Sequence, residues 1–384
     1  MQLYKLNQLL LDMHSGGTPD TSKPEYWNGN FKWLSSGETR QRFIENTESR
    51  ITQLGIEKSS TKLAKKNDVV MACAGQGKTR GQVSFLLDDM YINQSVIAMT
   101  TDEKILHPLY LFYNLSGRYN ELRGSSDASS TRGSITTKSL KKLAMLIPNI
   151  ESQKNITDIL IAYDNLIENN NKRICLLEQM AENLYKEWFV RFRFPLYEDV
   201  EFESGIPKGW KICRIDQLSK IKAGGDAPDD STKEITDECS IPIYSNGIEN
   251  EGLYGYTSKA KINKPSISIS ARGTVGYTCL RRVPYTPIVR LICIIPHEEN
   301  LANWLFYYFK RTIVIANGTS QQQITIPMMS REKVLLPTND LIQKFYEYST
   351  CYLDEIDSLR AQNSNLEKQR DMLLPRLMSG KLEV

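Results

Sequence analysis

From Ile156 to Trp188 the chain carries a seam of positions that advances by alternating steps of four and three: Ile156, Leu160, Tyr163, Ile167, Asn170, Ile174, Leu177, Ala181, Leu184 and Trp188. Spacing of this kind, held for more than four heptads, is what a long helix needs to pack along another helix. The constant offset that carries Ile156 to Phe345 takes the same steps through Phe345, Ser349, Tyr352, Ile356, Leu359, Asn363, Leu366, Arg370, Leu373 and Leu377, seven of them apolar and all in phase. The pattern predicts two long helices, over 150–189 and 341–378, most simply packed on each other. If fully helical, the first is a strut of roughly 55–60 Å, at about 1.5 Å per residue. Asn170 and Asn363 either fix the register of the seam or mark a local break, since Asn169-Asn170-Asn171 is poor helix material.

The segments preceding each helix also run in parallel. In the first half, 3–6 reads as a strand, 7–13 as a helical turn, and Gly16-Gly17-Thr18-Pro19 as a turn. Strands are expected at 69–72 and 83–87 around a glycine-rich loop, a helix at 108–115, a polar loop at 125–134, and a last strand at 143–147 before Pro148. The second half repeats the order. Trp210–Leu218 answers the opening, Gly224-Gly225-Asp226-Ala227-Pro228 the turn, and 266–271 with 275–280 the strand–loop–strand. Trp304-Leu305-Phe306-Tyr307 answers Tyr110-Leu111-Phe112-Tyr113, and the closing prolines, Pro148 and Pro337, are related by the same offset as the two seams. The chain therefore reads as a tandem duplication, far longer in period than a solenoid repeat. Each unit is a mixed α/β domain of ordinary size followed by one long helix. Between them the acidic run Tyr197–Glu203 reads as a linker facing water. The expected fold is α+β. Two pseudo-repeated domains (1–149 and 191–337, the latter with its linker) are separated by the helix at 150–190 and the C-terminal helix and tail at 338–384, antiparallel and forming a coiled coil.

Composition changes this picture little. At 384 residues, two or more domains are expected. A net charge of +3 permits nucleic-acid contact through local patches without demanding it. Seven scattered cysteines with no C-x-x-C pair suggest free thiols in a reducing cytoplasm. Three histidines without metal-site spacing argue against zinc, and no metal ligand set is expected. No apolar run approaches the roughly 18 residues of a membrane span, and 1–14 lacks the layout of a signal peptide, so a cytoplasmic chain without membrane contact is expected.

The loops hold the candidate chemistry. Ala72-Cys73-Ala74-Gly75-Gln76-Gly77-Lys78-Thr79 meets a loose phosphate-loop pattern, which requires a helix directly after Lys-Thr. The next residues, Arg80-Gly81-Gln82-Val83, suit a turn into a strand instead. Phe85-Leu86-Leu87-Asp88 looks like the magnesium-binding strand of such proteins, yet lies too close for a crossover helix to intervene. The matched loop, Arg272-Gly273-Thr274, has no such motif. Both loops are better read as glycine-rich hairpins whose cations (Lys78 and Arg80; Arg272, with Thr274) contact phosphate or read a guanine edge. A solvated hairpin tip is the plain alternative. Ser129, Ser130, Thr131 and Arg132, and in the other half Ser320, Gln321, Gln322 and Gln323, offer hydroxyls, amides and a cation suited to base and phosphate contact. Ser35, Ser36, Arg40 and Arg42, and Tyr244, Ser245 and Asn246, carry similar chemistry. The tryptophans suit core packing better than base stacking. No catalytic set emerges: the amino-methyltransferase, hydrolase-elbow and nuclease motifs are all missing from the sequence.

At these residues the chain resembles the specificity subunit of type I restriction–modification systems. The likeness covers essentially the whole length. It rests on Gly16-Gly17-Thr18-Pro19 with Tyr26-Trp27-Asn28-Gly29 and Trp33. It rests also on Leu184-Tyr185-Lys186-Glu187-Trp188-Phe189-Val190 with Phe194-Pro195, and on Leu374-Pro375-Arg376-Leu377-Met378-Ser379-Gly380-Lys381-Leu382. The turn at 224–228 departs from the first-half pattern. The resemblance implies a non-enzymatic chain with two target-recognition domains, each reading part of a split double-stranded DNA site, and paired helices as spacer. It also implies two methyltransferase subunits and restriction subunits as partners. S-adenosylmethionine, ATP and Mg²⁺ would be used by those partners, and no cofactor bound by this chain. Competing readings are a nucleotide-binding protein with a helical lever, resting on Lys78-Thr79, and a coiled-coil scaffold that does not touch DNA.

Overall fold

The structure is a computed structural model that describes residues 1–75, 78–127, 133–316 and 323–382. The chain divides into two compact units, one formed by 1–169 with 362–384 and the other by 170–361. Two helices, Ile150–Tyr185 and Asn339–Met378, contribute a segment to each unit.

In the first unit the main sheet runs Leu10–Ser15, Val96–Thr101, Val69–Ala72, Val83–Leu86 and Phe43–Ile44, the last pair parallel and the others antiparallel. A second sheet sets Trp27–Leu34 between Ser49–Ile51 and Met90–Ile92, with Lys62–Ala64 on the outside. A two-stranded ribbon, Gln2–Lys5 with Ala144–Ile147, leads into the long helix. Helix Pro108–Ser116 buries Tyr110, Leu111, Phe112 and Tyr113 against Val69, Met71, Phe85 and Ile97 of the main sheet. Ile156 and Leu160 from one long helix and Leu374 and Leu377 from the other close the same core. Each such fully buried side chain contributes about 1.5–3 kcal/mol, before the entropy of ordering it is counted.

The second unit keeps the frame. Its main sheet runs Ser219–Ala223, Ile292–Pro296, Ser266–Ile269 and Thr278–Arg281, the order of the first four strands of its counterpart. Its second sheet sets Ile241–Tyr244 between Leu253–Thr257 and, in parallel, Thr286–Pro287. A ribbon, Lys211–Arg214 with Lys333–Leu336, again precedes the long helix. Helix Leu301–Ala316 packs Trp304, Leu305 and Phe309 on Ile267, Ile269, Ile292 and Ile294. Phe345 and Tyr185 from the long helices, and Trp188 and Phe189 from the π-helical turn Lys186–Val190 that follows the first of them, join this core, with Phe189 and Phe345 edge to face at 5.0 Å.

The long helices pair antiparallel within each unit, the start of one meeting the end of the other. Of the expected seam, Ile156, Leu160, Ile167, Phe345, Ile356 and Leu359 are buried. Tyr163, Ile174, Leu177, Leu184, Tyr352, Leu366 and Leu373 lie outside that fully buried set. The tolerance of the seam for Asn170, Ser349, Asn363 and Arg370, all buried, comes from polar partners rather than from a break. The helix runs unbroken through Asn169–Asn171, because packing outweighs a few tenths of a kcal/mol per residue of poor propensity.

Three local expectations differ from the structure. The segment 7–13 is not a helical turn throughout. A single 3-10 turn, Leu6–Gln8, gives way to strand Leu10–Ser15, whose pairing with Val96–Thr101 overrides local propensity. Helix Tyr119–Asp127 extends into the stretch read as a polar loop. The acidic linker is largely exposed as expected, yet it folds back as a small ribbon, Phe202–Glu203 with Ile206–Pro207.

The Gly-Gly turns have one cause in both units. A Cβ on Gly16 would lie 1.8 Å from the Ile92 carbonyl oxygen, and one on Gly224 would lie 2.6 Å from the Ile288 nitrogen. At each place the backbone passes too close to a neighbouring segment for a side chain. The departure at 225–228 therefore leaves the turn's job intact.

Candidate nucleic-acid interface

Each unit presents a hairpin joining two neighbouring strands of its main sheet. In the first, Gly81 N donates to the Ala72 carbonyl (2.8 Å), with residues 73–80 between them. In the second, Gly276 N donates to the Ser270 carbonyl (2.8 Å), enclosing only 271–275. Gly81 (φ +86°) and Gly276 (φ +89°) sit in the left-handed region, which a side chain resists.

The strand after Lys78-Thr79 settles the phosphate-loop question. Val83–Leu86 pairs directly and antiparallel with Val69–Ala72, so no helix N-terminus follows the loop. Asp88 is held by the Lys32 ammonium.

Both hairpins are tied to the polar segment that comes later in the chain. Ile135 N donates to the Cys73 carbonyl (2.9 Å), and Ile324 N donates to the Ala271 carbonyl (3.3 Å). Ile135 and Ile324 are themselves buried, and they are related by the same offset as Pro148 and Pro337. Within each unit, then, the isoleucine that closes the polar segment is bonded to the hairpin.

The individual residues divide. Lys78 is exposed at the first hairpin, as are Arg272 and Thr274 at the second, and Gln323 is exposed beside it. Arg80, expected to offer a donor at the tip, is turned inward: it is buried, and its Nη1 donates to the Gly133 carbonyl (2.6 Å). Its guanidinium is a brace between hairpin and polar segment, because an arginine's forked donors satisfy a carbonyl that the chain buries. Ser129, Ser130, Thr131, Arg132, Ser320, Gln321 and Gln322 lie outside the described residues. Asn246 also proves structural, accepting from Ala271 N (2.8 Å) and donating to the Val289 carbonyl (2.6 Å).

Two further residues, Tyr119 and Arg123, join the first hairpin without belonging to any motif. Tyr119 Oη donates to the Lys78 carbonyl (2.9 Å), and Arg123 Nη1 donates to Tyr119 Oη (2.8 Å). Their spacing of four on one helix was the available signal. Together with Arg40, Arg42 and Lys78 they line a cleft of about 710 Å³.

The chemistry on offer is recognition. Burial pushes the Cys73 and Cys279 thiols above their usual range, so neither is primed as a nucleophile. Among the described residues no group of three or more His, Cys, Asp or Glu is arranged to hold a metal ion, and no helix is long and apolar enough to cross a membrane.

The family model for the type I restriction modification DNA specificity domain matches residues 1–179 and again 207–367. The chain belongs to that family. Two matches in one chain coincide with the duplication seen in the strands. The type I restriction enzyme MjaIX specificity subunit of Methanocaldococcus jannaschii is 26% identical over 97% of this chain and 91% of its own. The HindI specificity subunit of Haemophilus influenzae is 24% identical over 84% of this chain and 88% of its own. Among solved structures, the type I restriction-modification S subunit from M. genitalium superposes with a TM-score of 0.62 at 16% identity, covering 98% of this chain and 95% of that one. As a specificity subunit, the chain recognises DNA in an assembly with methyltransferase and restriction subunits and is not itself the catalytic component.

Proposed function

We propose that each unit of this specificity subunit reads one part of a split duplex site through its hairpin and the polar segment bonded to it. Residues 73–80 with the segment ending at Ile135 serve the first part, and 271–275 with the segment ending at Ile324 serve the second. The observation that carries this reading is the repeated backbone bond, Ile135 N to Cys73 and Ile324 N to Ala271. Keeping the tie while changing the residues it presents is what two readers of different sequence require. Lys78 is an exposed donor matched to phosphate oxygens, and Arg272, Thr274 and Gln323 are exposed donors among the described residues matched to guanine or adenine edges as well. The two long helices carry both readers, so the gap between half-sites follows from protein geometry, as in other two-part DNA readers.

S-adenosylmethionine, ATP and Mg²⁺ are used by the partner subunits, and the assembly works in the cytoplasm. With a net charge of +3 the isolated chain binds duplex weakly, and the assembly binds tightly.

The deciding experiment replaces residues 1–149 with the matching domain of another specificity subunit and maps methylated bases across a genome. One half of the methylated motif should change while the other half stays. A motif altered in both halves, or in neither, removes the reading.

A further inference from the structure

The first unit holds a basic cleft against one side of its hairpin. Arg40, Arg42, Lys78 and Arg123 line it beside Tyr119 and Gln82, and no acidic residue is among the described residues that line it. Arg40 and Lys78 are exposed, and neither has a carboxylate partner among the described residues. Arg42 already faces Asp164, so Arg40 and Lys78 are the cations whose mutual repulsion an anion bound in the cleft offsets.

Arg42 is fixed in place from behind. Its guanidinium lies 5.0 Å from the centre of the Phe112 ring, and its Nη2 donates to Asp164 Oδ2 (3.1 Å). Its Nε is buried and has no hydrogen-bond partner, and buried Oε1 of Gln82 has none either. Both atoms are closed to solvent, so Arg42, about a third exposed, meets the cleft through the rest of its guanidinium. The Lys78 carbonyl is steadied by Tyr119, so the lysine is presented from a braced backbone.

We propose that this cleft grips a backbone phosphate of the DNA and positions the duplex on the first unit without reading sequence. Arg40 and Lys78 supply the mobile donors, and Arg42 supplies a preset one. The inference rests on the DNA-reading function and adds to it a division of labour: phosphate holding in the cleft, base reading at the loops beside it.

The test uses the whole assembly with its methyltransferase subunits, wild type against R40Q, K78Q and the double variant, titrated with target duplex over a range of salt. Each substitution should reduce the slope of log affinity against log salt by about 0.9, and the double variant by about twice that. Weakening should be uniform across target and non-target duplex, and the methylated motif should be unchanged. An unchanged salt slope overturns the inference. So does an altered motif, which would make these residues base readers. A third arm adds ATP alone to the wild-type chain, and binding that K78Q abolishes would make the cleft a nucleotide site instead. Failure of the wild-type assembly to bind duplex at all strikes the DNA-reading function itself, and that result is distinguishable from the other three.

Discussion

Where the long helices join the first unit, the junction is charged; the equivalent place in the second unit is apolar. Asp164 is buried and takes Arg370 Nη1 at 2.5 Å, Tyr113 Oη at 2.7 Å and Arg42 Nη2 at 3.1 Å. The offset that carries Ile156 to Phe345 also carries Asp164 to Leu353 and Ala181 to Arg370, and Tyr113 corresponds to Tyr307. In the second unit those seam positions carry no charge, and Ala181 is fully buried in the apolar core. Removing two charges from water costs several kcal/mol per ion, and apolar replacements are often equally stable. The ion pair is therefore not there to maximise stability. It fixes one register of three elements: a carboxylate with three donors tolerates little sliding, whereas a greasy seam accepts several offsets.

The largest expected effect breaks that lock. Asp164→Leu leaves the buried Arg370 with only the exposed Asp371 carboxylate and should destabilise the first unit by about 3–5 kcal/mol. The double variant D164L/R370A copies the second unit and should recover most of the loss. Urea unfolding of the four members of the cycle checks both statements. A double variant as unstable as the single one would mean that the junction is held by packing alone.

The Gly-Gly turns give a second comparison. Gly16→Ala places a methyl 1.8 Å from a backbone oxygen, and Gly224→Ala places one 2.6 Å from a backbone nitrogen. Both should destabilise by about 1–3 kcal/mol, the usual cost of overpacking, with Gly16→Ala the worse. Melting temperatures of the two variants decide it, and equal losses would show that the backbone yields alike in both units.

Of this architecture, the duplication and the helix seam were legible because each is a periodicity, and periodicity survives when identities change. The strand–loop–strand hairpins were legible for the same reason. The cleft was not. Arg40, Arg42, Lys78 and Arg123 come from separate places in the chain, and tertiary structure alone brings them together. Arg80 shows the opposite failure. In sequence it is one more cation at a hairpin tip, and only the fold turns it toward Gly133. The Asp164–Arg370 pair was hidden as well, because a charged residue on a seam position reads as a blemish until its partner in the other long helix is known.

The hairpin tips provide the third test. Arg272→Gln removes an exposed donor from the second unit and should lower discrimination at a base in that half of the motif by about 1–3 kcal/mol, with the other half untouched. Sequencing of methylated sites under competition between motif variants measures it. Relaxation that appears in the first half of the motif would contradict the assignment of one reader to each unit.

The smallest effect separates the units by pH. Asp230 is held down to about 2 by hydrogen bonds from Ser258 Oγ and N and from Thr257 Oγ1, partners that lie far along the chain. Asp20 in the first unit is also lowered, chiefly by Ser22 two positions on. The Asp20 bond is local and forms in an unfolded chain too, so it contributes little difference between folded and unfolded states. Asp230's partners meet it only in the folded unit. A carboxylate lowered by folding adds stability that is present above its unfolded value near 3.8 and is lost as pH falls through about 2. Acidification from about pH 5 toward 2 should therefore loosen the loop at 230–258 while leaving the turn at 20–22 in place. The readout is amide exchange of Ser258 against that of Ser22, and Ser258→Ala should shift the Asp230 titration upward. Parallel loss of protection at both serines would mean that the acid response belongs to the whole chain rather than to this one tertiary contact.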